Sequence, residues 1–281
     1  SLSANRLHRF GHPRNLMPFL ESLMDSSMVF ERFYAAGTRT CNGIFSSLYG
    51  LPAIGSRHPM ADPLMTSQRF HGLPGHLREA GYTNSFIYPG DAAFDNMGSF
   101  LVANGFDRFV SEADFADSIP RNSWGVTDHA LYMKALEHID SLDRTGHAWF
   151  AALMTISSHK GYNVKDDIAG FAPTSVEPDE GIYEYADRAL AEFFASARSE
   201  PWFANTVFVI LGDHGQRFDP LYEVPLAYHH VPLVIHAPGL VVPGTKRGFG
   251  TQADVQETVL GVLRMPHVNN SLGQDLVRHA Y

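Results

Sequence analysis

The sequence is poor in cysteine, in long apolar runs and in clustered positive charge. Its one cysteine, Cys41, cannot form a disulfide within the chain, and no Cys/His spacing predicts a structural zinc site. No apolar run approaches the ~20 residues that are needed to cross a bilayer. The 21 Lys and Arg residues are scattered and the 30 Asp and Glu residues leave a net charge of -9, which argues against a nucleic-acid-binding surface.

Hydrophobic residues make up 44% of the 281 positions, which is enough for a sizeable core, and their spacing alternates between helical and extended patterns. The helical pattern predicts a helix through Phe45 and Leu48 and further helices over 17–28, 69–80, 182–198 and 254–263. Apolar runs predict strands over 29–34, 85–88, 149–156, 206–212 and 231–237. This alternation predicts an α/β fold with a mostly parallel central sheet and helices on both faces. We expect a single domain over residues 1–281, truncated at its N-terminus.

Polar side chains suited to catalysis or metal binding follow several of the predicted strands. Asp213 and His214 come directly after a buried strand, and three more residues hold similar positions: Thr40, Asp91 and His159. Because open α/β sheets bind their ligands beyond the carboxyl ends of the strands, we expect these groups to meet at one edge. Each also has an ordinary interpretation. Thr40 or Asp91 can cap a helix, Asp213 can accept backbone N–H groups in a turn, and His159 can be a loop residue.

A set of short segments, taken in order, resembles the extracytoplasmic catalytic domain of the lipoteichoic acid synthase and phosphoglycerol transferase group. That group belongs to the alkaline phosphatase and sulfatase superfamily. The resemblance covers nearly the whole chain, and its implied fold is the α/β fold described above. The segments that carry it are Phe33-Tyr34-Ala35-Ala36-Gly37-Thr38-Arg39-Thr40, Ser47-Leu48-Tyr49-Gly50-Leu51-Pro52, Tyr88-Pro89-Gly90-Asp91, Thr155-Ile156-Ser157-Ser158-His159, Asp213-His214-Gly215 and His230-Val231-Pro232-Leu233.

The resemblance implies roles for individual residues. Thr40 is similar to a nucleophile that is also a metal ligand, and Asp213 and His214 are similar to two further metal ligands. His159 is similar to the group that meets the substrate phosphate or the leaving oxygen. Three other residues hold positions of substrate or pocket contacts: Asp91, Asn96 and His230.

The implied chemistry is a phosphoryl transfer in two half-reactions. A threonine hydroxyl is a poor nucleophile at neutral pH, so Thr40 needs a metal or a base. The expected cofactor is a divalent metal, Mn²⁺ first, with Mg²⁺ or Zn²⁺ also compatible with Asp and His ligands. Thr40 then attacks a phosphodiester, and an acceptor hydroxyl or water intercepts the resulting phospho-threonine. His159, with an ordinary pKa of ~6.5, is suited to protonate the leaving group.

The resemblance also implies partners and a location. The partners are a phospholipid head-group donor and an envelope glycan or lipid acceptor. The pattern is closer to the Gram-negative members that move phosphoglycerol or phosphoethanolamine groups. The implied location is the bacterial inner membrane, with a periplasmic catalytic domain and transmembrane helices upstream of this chain.

The sequence departs from the family pattern at identifiable places. The remaining metal ligand is an acidic residue at the end of the first strand, and its position falls upstream of Ser1. We therefore expect one ligand and one strand to be missing from this chain, which leaves the metal site weakly occupied or empty and the fragment itself inactive. In addition, Pro89 replaces the histidine of a His-Gly-Asp turn, and Met97 or Gly98 stands in place of an arginine that grips the substrate.

Other functions stay open. A sulfatase whose modified Cys41 does the chemistry needs Pro and Arg where Gly43 and Phe45 stand. A phosphodiesterase or another sulfatase-type hydrolase of the same superfamily is a second alternative. A non-catalytic relative that keeps the fold as a binding module is a third.

Overall fold

The computed structural model describes residues 2–53, 57–119, 121–159, 171–216 and 225–278. The helices are α1 Pro18–Asp25, α2 Thr40–Tyr49, α3 Pro63–Thr66, α4 Leu73–Glu79, α5 Met97–Ala103, α6 Asp128–Asp143, α7 Pro178–Ala197, α8 Leu226–His229 and α9 Val255–Val262. The strands are β1 Met28–Tyr34, β2 Thr83–Ile87, β3 Arg108–Val110, β4 Arg121–Asn122, β5 Gly125–Val126, β6 Trp149–Leu153, β7 Phe208–Leu211, β8 Leu233–His236 and β9 Gly244–Thr251. Residues 161–170 of the loop predicted between Gly161 and Glu180 lie outside the described residues.

Two main sheets carry these strands. One has the order β3-β2-β6 and is entirely parallel. The other has the order β7-β8-β1-β9, in which β1 and β9 are parallel while β8 is antiparallel to both of its neighbours. The α/β prediction is confirmed, although the second sheet is mixed rather than mostly parallel. A parallel connection needs a crossover helix, and the described part of the connection from β7 to β8 contains only the four-residue α8.

Local chemistry explains where the observed elements depart from the predicted ones. Pro18 starts α1, and the hydroxyl of Ser27 donates to the carbonyl of Leu23 at 2.6 Å, so the helix ends early and β1 begins at Met28. Pro74 in the first turn of α4 moves the start of that helix to Leu73. The sequence patterns did not predict α6 or β9. The glycines and basic residues of β9 are not typical of a strand.

The core lies between these sheets and the helices that cover them. One buried cluster runs from α1 and α2 to β2, α6 and α7, and a second joins β1 and β8 to α9. Aromatic rings interlock within the first cluster, where Phe45 of α2 packs edge-on against Phe70 at 5.1 Å between centroids. Within the described residues, no helix is both long enough and apolar enough to span a membrane.

The apolar outer strands β6 and β7 are less buried than the interior strand β8. Both strands are apolar, yet every residue in them is only half-buried, whereas β8 is buried throughout. Each is an outer strand, and among the described residues no strand pairs with its free side. The strand expected upstream of Ser1 stays a prediction.

A buried carboxylate joins α1 to α7. Asp187 of α7 is 3% exposed, and its two oxygens accept the backbone N–H groups of Phe19 and Leu20 at 2.9 and 2.8 Å. These are amides of the first turn of α1, which have no partner within their own helix. Burial raises the pKa of Asp187 to about 6, although the two hydrogen bonds act in the opposite direction.

We predict that Asp187 makes the stability of the fold pH-dependent. Its pKa is higher in the folded than in the unfolded state, so its stabilising contribution is complete below about pH 4 and is lost as the pH rises through about 6. Relative to Asp187→Asn, the wild type should lose roughly 2 to 3 kcal/mol of unfolding free energy between pH 4 and pH 7 in urea titrations. A difference that does not change with pH contradicts the prediction. As a control, substitution of the exposed Glu137 by Gln should change the profile by less than ~0.5 kcal/mol.

Candidate active site

Thr40 lies at the start of α2, where the chain turns away from the end of β1. Arg39 has an extended backbone, and α2 begins at the next residue. The Thr40 side chain is 6% exposed, and its hydroxyl donates a hydrogen bond to Oδ2 of Asp213 at 2.9 Å. The first amides of a helix point out of its N-terminal end and carry partial positive charge. Thr40 therefore stands at a helix end that favours an anion, with a carboxylate beside its hydroxyl.

Asp213 and His214 follow β7 by two and three residues. Nε2 of His214 lies 3.3 Å from Oδ2 of Asp213, and Nδ1 of the same ring lies 2.8 Å from the carbonyl of Gly215. A carbonyl oxygen can only accept, so Nδ1 carries its hydrogen towards Gly215 and Nε2 is the ring nitrogen that faces Asp213. The hydroxyl of Thr40, a carboxylate oxygen and an imidazole nitrogen thus meet around one point, as predicted. A divalent cation suits this set of oxygen and nitrogen donors, so the residues fit the metal that the resemblance implies.

Two further features hold α2 and β7 together. An ideal Cβ on Gly43 would lie 2.0 Å from the carbonyl oxygen of Asp213, so only glycine allows the first turn of α2 to approach this closely. The fully buried Gln252 donates from Nε2 to the carbonyls of Gly212 at 2.8 Å and Asp213 at 2.7 Å, and accepts the N–H of Ala36 at 2.8 Å. Sequence reasoning missed Gln252, because a lone Gln just before a predicted helix carries no recognisable pattern.

His159 follows β6 and lies near enough to Asp213 and His214 for both residues to shift its pKa. Its ring stacks on Trp124 with 4.1 Å between centroids and an angle of 14°. The backbone before it is fixed by Asp128, whose Oδ1 accepts the N–H groups of Ile156 at 2.8 Å and Ser157 at 3.0 Å. Sequence reasoning did not identify Trp124 or Asp128, since each becomes relevant only through contacts with residues distant in the chain.

The loop from Asp91 to Asn96 contacts α2 through Asp95, whereas Asp91 and Asn96 have hydrogen-bond partners elsewhere. Asp91 is exposed and accepts the N–H of Ala93 at 2.8 Å within a turn, whereas the helical segment that follows has no side-chain cap. Nδ2 of Asn96 donates to the carbonyl of Met60 at 2.6 Å. Asp95, which sequence reasoning passed over, interacts with Cys41 and lies 3.0 Å from Nε2 of His58.

This loop contains backbone strain. Asp95 and Asn96 have φ angles of 51° and 57°, in the left-handed region that non-glycine residues rarely adopt. Consecutive strained residues of this kind are concentrated at ligand-binding positions. The substrate roles of Asp91 and Asn96 stay predictions.

His230 occupies a separate environment. Its ring lies between Phe10 and Tyr34, at centroid distances of 5.3 and 5.2 Å. Its Nε2 donates to the carbonyl of Glu31 at 2.7 Å, and this hydrogen bond attaches the ring to β1. These described contacts do not include Thr40, Asp213 or His214, so the structure does not join His230 to that group by direct contact.

The protonation of the site follows from burial and neighbouring groups. Burial alone would raise the pKa of Asp213, but the positive charge of the chain N-terminus, then His214 and the hydrogen bonds from Thr40 and the His214 backbone, together lower it below its ordinary value. Burial lowers the pKa of His159, and His214 lowers it further, so the His159 ring is neutral at pH 7. Burial, followed by Asp95, raises the pKa of the Cys41 thiol to about 12, which leaves it protonated.

Comparison with known proteins identifies sequences similar to this chain. The sulfatase family profile matches residues 1–265. Phosphoglycerol transferase I of Xanthomonas campestris pv. campestris is 28% identical over 193 residues, which are 62% of this chain and 26% of that protein. The lipoteichoic acid synthase-like protein YvgJ of Bacillus subtilis is 22% identical over 283 residues, covering 89% of this chain and 44% of that protein. The chain thus spans from about a quarter to less than half of these relatives.

Solved structures show the same fold. A protein of the alkaline phosphatase superfamily from Vibrio parahaemolyticus superposes with a TM-score of 0.91 at 30% identity, covering 99% of this chain and 67% of that chain. The lipoteichoic acid synthase LtaP from Listeria monocytogenes superposes with a TM-score of 0.84 at 22% identity, covering 95% of this chain and 70% of that chain. The match extends over nearly all of the present chain.

We predict that Gln252→Met lowers the free energy of unfolding by about 2 to 3 kcal/mol, because methionine fills the space but removes three buried or partly buried hydrogen bonds, to the carbonyls of Gly212 and Asp213 and from the amide of Ala36. Urea unfolding followed by circular dichroism measures the change. The matched control is Gln68→Met on the exposed surface, which should alter the value by less than ~0.5 kcal/mol. Equal effects of the two substitutions refute the role assigned to Gln252.

Proposed function

The chain belongs to the sulfatase family, and on that premise we propose that it is the catalytic domain of a metal-dependent transferase. It moves a phosphoglycerol- or phosphoethanolamine-type group from a lipid donor to an envelope glycan or lipid. The observation that carries the proposal is the 2.9 Å hydrogen bond from the Thr40 hydroxyl to Asp213, with Nε2 of His214 at 3.3 Å from the same oxygen. The names of the phosphoglycerol transferase I relatives support the choice of group.

Thr40 is the nucleophile in this proposal. Its oxygen bonds to the phosphorus of the donor as the bond from phosphorus to the lipid oxygen breaks, and the departing alcohol leaves with the proton that Thr40 gives up. An acceptor hydroxyl then displaces Thr40 from the phosphorus, and its proton returns to the threonine. Each half-reaction therefore conserves its protons and leaves the enzyme unchanged after one cycle.

The remaining residues bind and position the reactants. Thr40, Asp213 and His214 would hold the divalent metal, Mn²⁺ in our proposal, which when bound lowers the energy of the threonine alkoxide and neutralises phosphoryl oxygens. The N-terminal end of α2 favours the negative phosphoryl group. In the proposal His159 protonates the leaving oxygen, and its neutral ring can first accept the proton that Thr40 gives up. Asp91 and Asn96 would contact the head group from the strained loop.

The same premise defines the whole protein that we expect. In this proposal residues 1–281 form one catalytic domain. We propose that the whole protein is anchored in the inner membrane with this domain on the periplasmic side, where phospholipid donors and envelope acceptors are both within reach.

A sulfatase-type hydrolase acting through Cys41 is less well supported. The thiol is 1% exposed and stays protonated at neutral pH because of its burial and the nearby Asp95. Residues 43 and 45 also lack the Pro and Arg of that motif. Hydrolysis through Thr40 is instead an outcome that product analysis distinguishes from transfer.

We predict that Thr40→Ala in the full-length protein lowers Mn²⁺-dependent release of diacylglycerol from phosphatidylglycerol by ~10³-fold or more, because the variant has no nucleophile. Thr40→Ser keeps the hydroxyl and should retain measurable activity. The Thr40→Ala variant lacks only a small buried group, so circular dichroism should show an unchanged fold. Activity in Thr40→Ala equal to that of the wild type excludes the proposed nucleophile.

We predict that a periplasmic glycan acceptor diverts the labelled head group from free glycerol phosphate onto the glycan. In a transferase the acceptor hydroxyl competes with water for the phospho-threonine, so labelled glycan should rise and free glycerol phosphate should fall as the acceptor concentration increases. Mass spectrometry of both products measures the ratio. Free glycerol phosphate as the only product at every acceptor concentration identifies a phosphodiesterase instead.

A further inference from the structure

A second group of potential metal ligands lies at the other end of α2. Gly72 packs on the carbonyl of Leu48, and the N–H of Leu272 donates to the carbonyl of Gly50 at 2.9 Å, so both segments that surround this group contact the last residues of α2. Thr40 begins the same helix. At 1.5 Å per residue, the ten residues of α2 separate the two places by about 15 Å.

The group consists of His71, His76 and Glu79. His76 and Glu79 are three residues apart on α4 and thus share one face of that helix. Nε2 of His71 lies 2.9 Å from Oε1 of Glu79, and the rings of His71 and His76 stand perpendicular with 4.4 Å between their centroids. One ligand atom from each of the three residues lies within 4.8 Å of the other two. A single cation can therefore contact all three.

Gly75 makes room for one of the ligands. A Cβ at this position would lie 2.9 Å from Cδ2 and 3.0 Å from Nε2 of His71. The imidazole of His71 thus rests directly on the backbone of α4, where any larger residue would displace it. Gly75 is also an unfavourable residue for the interior of a helix, by roughly 1 kcal/mol relative to alanine, so its presence has a local cost that the position of the ring explains.

The three side chains open onto a cavity of about 660 Å³. Its lining also includes His267 and Asn270 from the C-terminal segment. The side-chain oxygen of Asn270 lies 3.2 Å from Nε2 of His76, and its amide donates to the backbone carbonyl of His71. A solute entering from solvent can therefore reach the group, while Asn270 restrains two of its members.

Neighbouring side chains restrain the rings around this group. The rings of His76 and His267 stand edge-on, with 5.3 Å between their centroids. His267 itself is held by Glu257, with 2.8 Å between its Nε2 and Oε2 of the carboxylate. Partners of this kind orient the rings around metal sites.

We propose that His71, His76 and Glu79 bind a divalent transition-metal ion, with Zn²⁺ as the best-matched cation and the open position facing the cavity. Two imidazoles and one carboxylate are a ligand set that Zn²⁺ accepts together with a water molecule or another small ligand. The site does not depend on the proposed function, because its ligands are distinct from Thr40, Asp213 and His214. It would fix the chain before α4 against the helix itself.

Isothermal titration of the full-length protein with Zn²⁺ tests this site. The background is Asp213→Asn, so that binding at the candidate active site does not obscure the measurement. We expect one equivalent of Zn²⁺ to bind in this background. Adding His71→Ala or Glu79→Gln should weaken that binding by roughly tenfold or more, because each removes one of three ligands at an exposed position.

Gly75→Ala is the sharpest variant, since it keeps all three ligands and removes only the space that the His71 ring occupies. Zn²⁺ affinity should fall by a similar factor, while the melting temperature without metal stays the same or rises because alanine favours the helix. The control is His129→Ala. Nδ1 of His129 lies 3.2 Å from the carboxylate of Glu192, away from the proposed site, so this variant should leave Zn²⁺ binding unchanged. Absence of binding in the Asp213→Asn background, or equal affinity in all the variants, overturns the proposal.

Discussion

The contact between Thr40 and Asp213 is the constraint on which the candidate active site depends, because it joins residues 173 positions apart in the chain. Thr40 is fixed by the start of α2 and Asp213 by the end of β7, so neither element can shift without separating the two side chains. Glycine at position 43 permits this close approach. The side-chain amide of Gln252 donates to the carbonyls of Gly212 and Asp213. The chemistry thus rests on a buried network of neutral hydrogen bonds beneath the reactive groups.

Buried carboxylates have two distinct uses in this protein. Asp128 and Asp187 have their oxygens directed at backbone amides, which fixes a loop in one case and a helix start in the other. Burial raises the pKa of both side chains. Asp213 instead faces a hydroxyl and an imidazole, and its pKa is lowered. The direction of the shift follows the environment of each carboxylate, and it separates the two scaffold residues from the one in the candidate active site.

How much of this was predictable from the sequence depended on how local the signal was. The apolar runs that became β1, β7 and β8 predicted the α/β class, because a buried strand is recorded in consecutive residues. The gathering of Thr40, Asp213 and His214 was predictable because ligands collect beyond strand ends. Gln252 and Trp124 were not predictable, since their roles arise from contacts between distant segments. The reversed direction of β8 was missed for the same reason: an apolar run does not record its orientation.

The half-buried edges of β6 and β7 have a consequence for what can pair with the two sheets. An apolar strand whose outer N–H and C=O groups face solvent is a template on which another extended chain can add by hydrogen bonding. Among the described residues no strand pairs with the outer side of β6 or of β7, so an extended segment that adds there would continue the sheet and cover half-buried apolar side chains.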